Sequence, residues 1–406
     1  TSFASGLSVP DSKSIELDLR GRTLTYTGTQ DAIYVMDYAS FTLSDSVTFD
    51  QSGFRIGGIT ETSLDAPSPD TMYANRQLIY NAPVKVQGES NETEEDDSGI
   101  ADGEEESEVT GGEEESEVTD GDLVTEETEE DSSEVEGGDS ETVEDSAGDF
   151  AVEETGRVVD FTHSGALVGN GAGCLVWLQN SSTFNLTGGL IENNNGDHAV
   201  CAVYNHNNAV NMTGGAILGS GGSGSGNGNG GAVYMLNGRF SMSGGYIAGN
   251  KAGGGGGIYA HGANSSVYIT GGVIAANTAN GDGGGVAVWE DSTLIISSNA
   301  TITGNIAGVN GGNIRFGKAN VTLDGTAAIT RGKAANGGGA YGHGANQLNV
   351  KGDVLVAKNS ATKNGGGIYI TNGAGNALMN LLGSAWVVDN TAGSEYGGVY
   401  TDSNMP

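Results

Sequence analysis

A repeat of about 27 residues limits the folds available to this chain more than any other feature. Each unit opens with an alternating apolar segment, and the first apolar residue of that segment recurs with a mean spacing of 27.5 residues. An Asn-x-Ala turn follows in many units, and a glycine cluster then leads into another short apolar segment. Interior glycine costs a helix about 1 kcal/mol, so strands and turns are favoured. The first apolar residues are Val158, Phe184, Val210, Phe240, Val267, Leu294, Val321, Leu348 and Leu378.

Three short strands in each unit predict one coil of a parallel β-solenoid, an all-β fold class. The 71 glycines are explained by the corners, where positive φ is needed at each turn. Asparagine tolerates the same backbone region, and its amide can stack from coil to coil, so the Asn-x-Ala column predicts a structural ladder with alanine inside. The ladder residues are Asn250, Asn277, Asn305, Asn359 and Asn390.

Three regions follow from the composition. Residues 1–87 are predicted to be amino-terminal coils of the β-helix, and residues 157–406 the main β-helix of about nine coils. Between them, residues 88–156 form a low-complexity acidic segment with 31 acids between Glu89 and Glu154 and no Lys or Arg. Such a segment cannot bury enough apolar surface to fold, so it is predicted to be a disordered loop that binds divalent cations weakly at most. The net charge of −36 argues against nucleic-acid binding, and no apolar run is long enough for a transmembrane segment.

Short glycine motifs carry a resemblance to a known family. Gly214–Ile217 and Gly230–Val233 read GGA-I and GGA-V, with GGGI and GGGV variants later, and Ile15–Leu24 contains an L-D-L-x-G-x-T-L segment. The chain resembles right-handed parallel β-helix repeat proteins, among them adhesin-like bacterial surface proteins and polymorphic outer-membrane proteins. The resemblance implies a right-handed, pectin-lyase-like β-helix that is secreted or displayed on a bacterial cell surface.

Cysteine, histidine and aspartate suggest little chemistry. Cys174 and Cys201 lie 27 residues apart, which predicts one column of adjacent coils. A disulfide and two stacked buried thiols are both compatible with that position, and the frequent burial of free cysteine favours the thiols. His206, His261 and His343 are predicted to mark one corner, with His261 and His343 three coils apart. Asp282, in a single NGDGGG string, lacks the nine-residue recurrence of a calcium repeat. No metal site or cofactor is predicted.

An aromatic row is the most suggestive feature for binding. One aromatic residue follows the inward apolar residue of the third strand in most coils, so strand alternation points these side chains outward. Such a row can bind sugar rings, and it can equally be a ladder of mutually stacked rings that stabilises one face. The ligand-binding candidates are Trp177, Tyr204, Tyr234, Tyr259, Tyr341, Tyr369 and Tyr400.

Two function classes remain after these considerations. We expect a non-catalytic, adhesin-like surface module that binds glycans or the surface of a host or neighbouring cell through its repetitive face. The alternative is a secreted polysaccharide lyase or glycoside hydrolase, which needs clustered carboxylates and a base. Glu290 and Asp291 are the weak catalytic candidates, and the 27-residue spacing predicts that Asp291 lies beside Lys318 as a structural cross-strand pair.

Overall fold

The computed structural model describes residues 1–46, 48–49, 55–56, 59–64, 68, 70–87, 150–170, 173–194, 198–202, 207–221, 228–344, 347–372, 377–394 and 396–401. These residues form strands, turns and bends, and they include no helix long and apolar enough to cross a bilayer. Residues 88–149 of the predicted acidic loop lie outside the described residues, whereas residues 150–156 begin a strand.

The fold is a parallel β-solenoid with about 27 residues per turn, as predicted. Each full coil contributes one strand to each of three parallel sheets, called sheets I, II and III. Along the chain, a strand of sheet I is followed by a strand of sheet II and then by a strand of sheet III. Sheet I contains Ser2–Phe3, Thr23–Tyr26, Ala166–Asn170, Leu190–Asn194, Ala216–Leu218, Tyr246–Ala248, Val273–Ala275, Thr301–Thr303, Ala328–Thr330, Leu355–Ala357 and Trp386–Val388. Sheet II contains Leu7–Val9, Ile33–Val35, Cys174–Leu178, His198–Ala202, Val233–Leu236, Ile258–His261, Val286–Trp289, Ile314–Gly317, Ala340–His343, Ile368–Thr371 and Val399–Thr401. Sheet III contains Ser14–Asp18, Ser40–Ser44, Thr183–Leu186, Ala209–Met212, Arg239–Met242, Ser266–Ile269, Thr293–Ile296, Asn320–Leu323, Gln347–Val350 and Leu378–Leu381.

A fourth parallel sheet, sheet IV, is made of two-residue strands that follow sheet I in the later coils. Its strands carry the alanine of the Asn-x-Ala turn, which is buried in most coils while the preceding residue faces outward. The strands are Lys251–Ala252, Thr278–Ala279, Ile306–Ala307, Lys333–Ala334, Ser360–Ala361 and Thr391–Ala392.

Apolar columns fill the interior of the solenoid. In sheet III, Phe41 pairs with Phe184, and the column continues through the predicted series to Leu348. Two members of the predicted series lie elsewhere. Val158 belongs to an antiparallel strand, and Met379, not Leu378, is the partner of Leu348. The spacing alone could not separate these positions, because both flanking segments also alternate apolar and polar residues.

Residues 47–165 are inserted between two adjoining coils. Thr23 pairs with Ala166, although the two residues are 143 positions apart. The insertion includes an antiparallel sheet whose strands lie in the order Met72–Ala74, Gln77–Gln87, Phe150–Asp160 and Thr60–Ser63, and a separate pair formed by Thr48–Phe49 and Arg55–Ile56. The strands Thr60–Ser63, Met72–Ala74 and Gln77–Gln87, grouped above with the amino-terminal coils, therefore belong to this antiparallel sheet.

The described residues 59–64, 70–85 and 152–161 of this insertion, called the arm below, pack on the outer face of sheet I. Leu78, Val159 and Phe161 of the arm are fully buried, and they share a second apolar cluster with small sheet I residues such as Ala216 and Ala248. The small sheet residues leave room for the larger arm side chains. Outward positions that would otherwise face water thus form a second core.

The two cysteines form a disulfide, with 6.1 Å between their Cα atoms. The interpretation that favoured free thiols is therefore wrong. The prediction that the two cysteines occupy one column is also wrong, because Cys201 pairs with Trp177 and Cys174 pairs with His198. Both cysteines are buried in adjacent strands of sheet II. The bond closes a loop of about one coil and fastens the first two coils after the insertion to each other.

Loss of this disulfide should cost stability. Replacing both Cys174 and Cys201 with serine is expected to lower the free energy of unfolding by about 2 kcal/mol, because the unfolded chain gains loop entropy. Urea unfolding of the variant and the parent should show the difference. A parent protein whose midpoint does not fall when a reducing agent is added would contradict this expectation.

Candidate functional site

Outward-facing aromatic side chains run along sheet II parallel to the solenoid axis. Six of the predicted residues occupy one register column, and Tyr204 lies outside the described residues. Cys201 holds the position that had been expected for Tyr204, because the string HAVCAVY fits the repeat in two registers. The column also extends to Tyr34 and includes three non-aromatic residues, Cys201, Ala287 and Arg315. Its order is Tyr34, Trp177, Cys201, Tyr234, Tyr259, Ala287, Arg315, Tyr341, Tyr369 and Tyr400.

The rings of this column contact one another on both sides of the interruption. Tyr234 and Tyr259 stack with centroids 5.8 Å apart, whereas Tyr369 meets Tyr341 and Tyr400 edge to face at 5.0 and 4.7 Å. All of these tyrosines are half-buried. Mutual ring contact, which was the structural alternative for this row, is therefore present, and it leaves part of each side chain exposed.

The inner asparagine ladder lies at the corner between sheets I and IV. The side-chain amide of Asn250 donates to Asn277 Oδ1, and that of Asn277 donates to Asn305 Oδ1, both at 2.9 Å. The next coil has Gly332 at the ladder position. Asn305 therefore donates to Asn313, which enters from the following corner and donates onward to Asn359 at 3.0 Å. Asn359 completes the series by donating to Asn390.

The absence of a side chain at Gly332 makes room for the Asn313 side chain in the ladder. A Cβ atom at Gly332 would lie 2.6 Å from the Asn313 side-chain nitrogen. The sequence contains a signal for it, since GGNI at Gly311–Ile314 stands where other coils have a third glycine. The ladder is thus continuous across a coil whose own sequence lacks the asparagine.

A second ladder of side-chain amides and carboxylates lies at the corner between sheets IV and II, and sequence reasoning missed it. Asn310 donates to Asp282 Oδ1 at 3.1 Å, and Asn336 donates to Asn310 Oδ1 at 3.0 Å. In the coil before Asp282, the ladder position is occupied by Gly254, which forms a backbone bridge with Asn229 of the preceding coil. The ladder therefore has no side chain at Gly254. In the sequence, a glycine follows each residue of this ladder, as Gly283 follows Asp282, and these glycines have positive φ. That recurring glycine was the signal that could have revealed the ladder.

The two outer columns are interrupted in neighbouring coils, and a cleft lies beside these interruptions. Gly254 interrupts the outer ladder one coil before Asp282, and Ala287 interrupts the aromatic column one coil after Tyr259. The cleft between them has a volume of about 360 Å³ and is open to solvent on one side. Its lining includes Tyr259, Trp289, Asp282, Asn229, Asn310 and Val309. Two aromatic rings and three polar side chains therefore converge on one concave surface.

Arg315 fixes the position of Trp289 and Asp282. Its guanidinium carbon lies 3.9 Å from the centre of the Trp289 ring, and its Nε donates to Asp282 Oδ2 at 3.3 Å. Another guanidinium nitrogen donates to the carbonyl of Phe316. Trp289 also covers Gly317, where a Cβ atom would lie 2.7 Å from the ring. The wall of the cleft is therefore built by a buried cation and a glycine in the neighbouring coil.

Burial around the cleft changes the acidity of its groups. Burial is the main cause that raises the pKa of the Tyr259 hydroxyl, and burial lowers the pKa of Arg315 while the nearby Asp282 carboxylate acts in the opposite direction. Tyr259 is therefore a neutral hydroxyl at physiological pH. It can donate and accept hydrogen bonds in that form.

Glu290 and Asp291, the weak catalytic candidates, lie on the turn between sheets II and III. Asp291 faces Lys318 of the next coil at 3.9 Å, in the predicted cross-strand position, and both side chains are about two-thirds exposed. Glu290 contacts His261 at 3.3 Å. The two acids thus have different partners and do not line the cleft.

The remaining sequence candidates lie in different columns of the solenoid. His261 and His343 share a column three coils apart, as predicted, with Trp289 and Gly317 between them, and His206 lies outside the described residues. Asp282 belongs to the outer ladder. Among the described residues, no three His, Cys, Asp or Glu side chains lie together as a metal site requires.

The chain matches no protein-family model, no curated protein and no solved structure.

Proposed function

We propose that this chain is a non-catalytic glycan-binding module of a secreted or cell-surface protein, and that the cleft at Tyr259 and Trp289 is its sugar site. One observation carries the proposal: the two outer columns are interrupted in neighbouring coils, where they leave a cleft with aromatic walls. Aromatic faces pack on the apolar faces of sugar rings, and side-chain amides and carboxylates hydrogen-bond their hydroxyls. The volume of the cleft falls within the usual range of about 300–1,000 Å³ for small-molecule sites.

The aromatic row extends the site along the solenoid. Tyr234 precedes the cleft, and Tyr341, Tyr369 and Tyr400 follow it in register. Half-buried rings at successive coils offer shallow contacts to a chain-like ligand that continues out of the cleft. Host or neighbouring cell surfaces rich in glycans are the partners that suit such a repeated face.

The disulfide supports an extracellular location. Disulfides persist mainly in oxidising compartments and on secreted proteins, whereas cytosolic thiols are kept reduced. The buried bond between Cys174 and Cys201 therefore favours secretion or surface display, in agreement with the resemblance to bacterial surface proteins.

Substitution of Trp289 tests the sugar site directly. Binding should be screened on immobilised hexamers of β-1,4-linked glucose, mannose and N-acetylglucosamine and on uronate hexamers, and affinities measured by calorimetry. Trp289→Ala is expected to weaken binding at least tenfold, because it removes an aromatic wall worth more than about 1.4 kcal/mol. Trp289→Tyr should retain most of the affinity.

Tyr38→Ala is the control, because Tyr38 is an exposed aromatic residue that lies outside both the cleft and the aromatic row. It should change the affinity for a hexamer less than threefold. Unchanged binding by a folded Trp289→Ala protein, or the absence of binding to every hexamer, would refute the sugar site. Melting curves of each variant establish that the protein is folded.

A further inference from the structure

We infer that the cleft selects uncharged sugars and rejects glycans that carry carboxylate or sulfate groups, an inference that rests on the proposed function. Among the described side chains that line the cleft, Asp282 is the only ionisable acid or base apart from the neutral Tyr259 hydroxyl. Its side chain is 26% exposed, so a carboxylate oxygen is within reach of a ligand. The charge that a ligand meets in the cleft is therefore negative.

The nearest cation is not available to an anionic ligand. The Arg315 side chain is only 4% exposed and lies behind Trp289 and Asp282. Its Nε bonds Asp282, another nitrogen bonds the Phe316 carbonyl, and Tyr341 covers it at 5.0 Å. A ligand carboxylate could not reach this guanidinium without displacing the wall of the cleft.

The charged side chains on the corner next to the cleft do not offset the negative charge of Asp282. On the adjacent corner, Lys318 faces Asp291 at 3.9 Å, and Glu290 is 69% exposed beside His261. None of these four side chains lines the cleft. On this corner, the two carboxylates of Glu290 and Asp291 thus outnumber the single lysine, Lys318.

Uncharged hydroxyl groups suit the lining far better than anions do. A sugar hydroxyl can donate to the Asp282 carboxylate, and hydrogen bonds to an ionised acceptor are stronger than bonds between neutral groups. The amides of Asn229 and Asn310 can both donate and accept, as hydroxyl recognition requires. A ligand carboxylate in the same place would be repelled by Asp282 in a partly water-excluded site.

Matched pairs of ligands test the inference. Hexamers of β-1,4-linked glucose and mannose should be compared with hexamers of the corresponding uronates by calorimetry at low ionic strength. Each uronate is expected to bind at least tenfold more weakly than its neutral counterpart. Raising NaCl to about 0.5 M should narrow the difference, since salt screens the repulsion.

Asp282→Asn provides the variant arm. The amide keeps a ladder acceptor for Asn310 but removes the charge and leaves Arg315 without its carboxylate, so uronate affinity is expected to rise at least tenfold. Asp291→Asn, which removes an exposed carboxylate outside the cleft, should leave the ratio unchanged. The salt series on the unaltered protein serves the same purpose if Asp282→Asn does not fold.

The outcomes separate the two proposals. Uronates that bind as tightly as the neutral hexamers would overturn the selectivity while leaving the glycan site standing. Failure of every neutral and acidic hexamer to bind would instead refute the glycan site itself. Preference for neutral hexamers that persists unchanged at high salt and in Asp282→Asn would overturn the electrostatic inference.

Discussion

Replacing Asn277 with alanine is expected to lower the free energy of unfolding by about 4 kcal/mol, since buried donors left without acceptors cost about 1–3 kcal/mol each. Its amide nitrogen donates to Ile247 O and Asn305 Oδ1, both at 2.9 Å. Its Oδ1 accepts the backbone N–H and the side-chain amide of Asn250 at 3.0 and 2.9 Å. The substitution would leave the backbone N–H and one side-chain N–H of Asn250 unpaired, while the other side-chain N–H still donates to Ile217 O at 3.1 Å, in a corner where Asn250 and Asn277 are fully buried.

Asn349→Ala is the matched control for Asn277→Ala. Asn349 also accepts an amide hydrogen bond, from Asn380 at 2.8 Å, but on the partly exposed outer face of sheet III, where water replaces a lost partner. We expect a cost below about 1 kcal/mol there. Urea unfolding gives the overall effect, and hydrogen exchange shows whether the neighbouring coils open first, as a repeat array allows. Similar losses at both sites would show that burial of the ladder is unimportant.

The fold was largely predictable, because each coil of a solenoid repeats the same pattern of residues at a fixed spacing along the sequence. Phe184, Val210 and Phe240 recur at the coil spacing, and the structure pairs them directly. The Asn-x-Ala column was equally readable as a ladder, although positive φ falls on the residue before each asparagine, as at Gly249, Ala276 and Lys358. Handedness is different, because a spacing along the chain contains no chirality.

Errors arose where the sequence allows two registers. Val200 and Val203 both fit the inward position in HAVCAVY, and the choice of Val203 moved Tyr204 into the column that Cys201 occupies. Cys201 therefore lies three residues from its expected register, whereas Cys174 keeps its expected place before Val176 and Trp177. The preference for free thiols had a separate basis, the frequent burial of free cysteine, and the spacing alone does not distinguish buried thiols from a disulfide.

The cleft and the arm could not be predicted for a deeper reason. The cleft lies where the outer ladder has no side chain, at Gly254, and a repeat pattern is defined by what is present. The arm depends on contacts between residues far apart in sequence, such as Tyr73 against Gly249, where a Cβ atom would meet the tyrosine ring at 2.0 Å. No local pattern specifies that pairing.

Charge pairs fasten the arm to the solenoid at several coils. Arg76 of the arm binds Glu192 of sheet I in a bidentate pair, with distances of 2.9 and 2.5 Å. At a later coil, Glu154 of the arm accepts hydrogen bonds from Arg331 and, at 3.1 Å, from Lys358. The Glu154 carboxylate is only 5% exposed, whereas the two cations retain some contact with water. Glu154 is therefore the group on which this end of the arm depends.

Glu154→Gln should release that end of the arm and lower the free energy of unfolding by about 3 kcal/mol, near the low end for a broken buried pair because both cations stay partly hydrated. The amide preserves the shape of the side chain but leaves two cations without a counter-charge. Hydrogen exchange in Thr60–Ser63 and Met72–Ala74 should accelerate, while exchange in sheet III should not. The control is Asp70→Asn, which breaks a pair with Lys333 at 3.3 Å in which both side chains are more than half exposed. Such pairs contribute at most about 1 kcal/mol, so a loss at Asp70 equal to that at Glu154 would show that the arm is held by its apolar contacts and that the buried charge adds nothing.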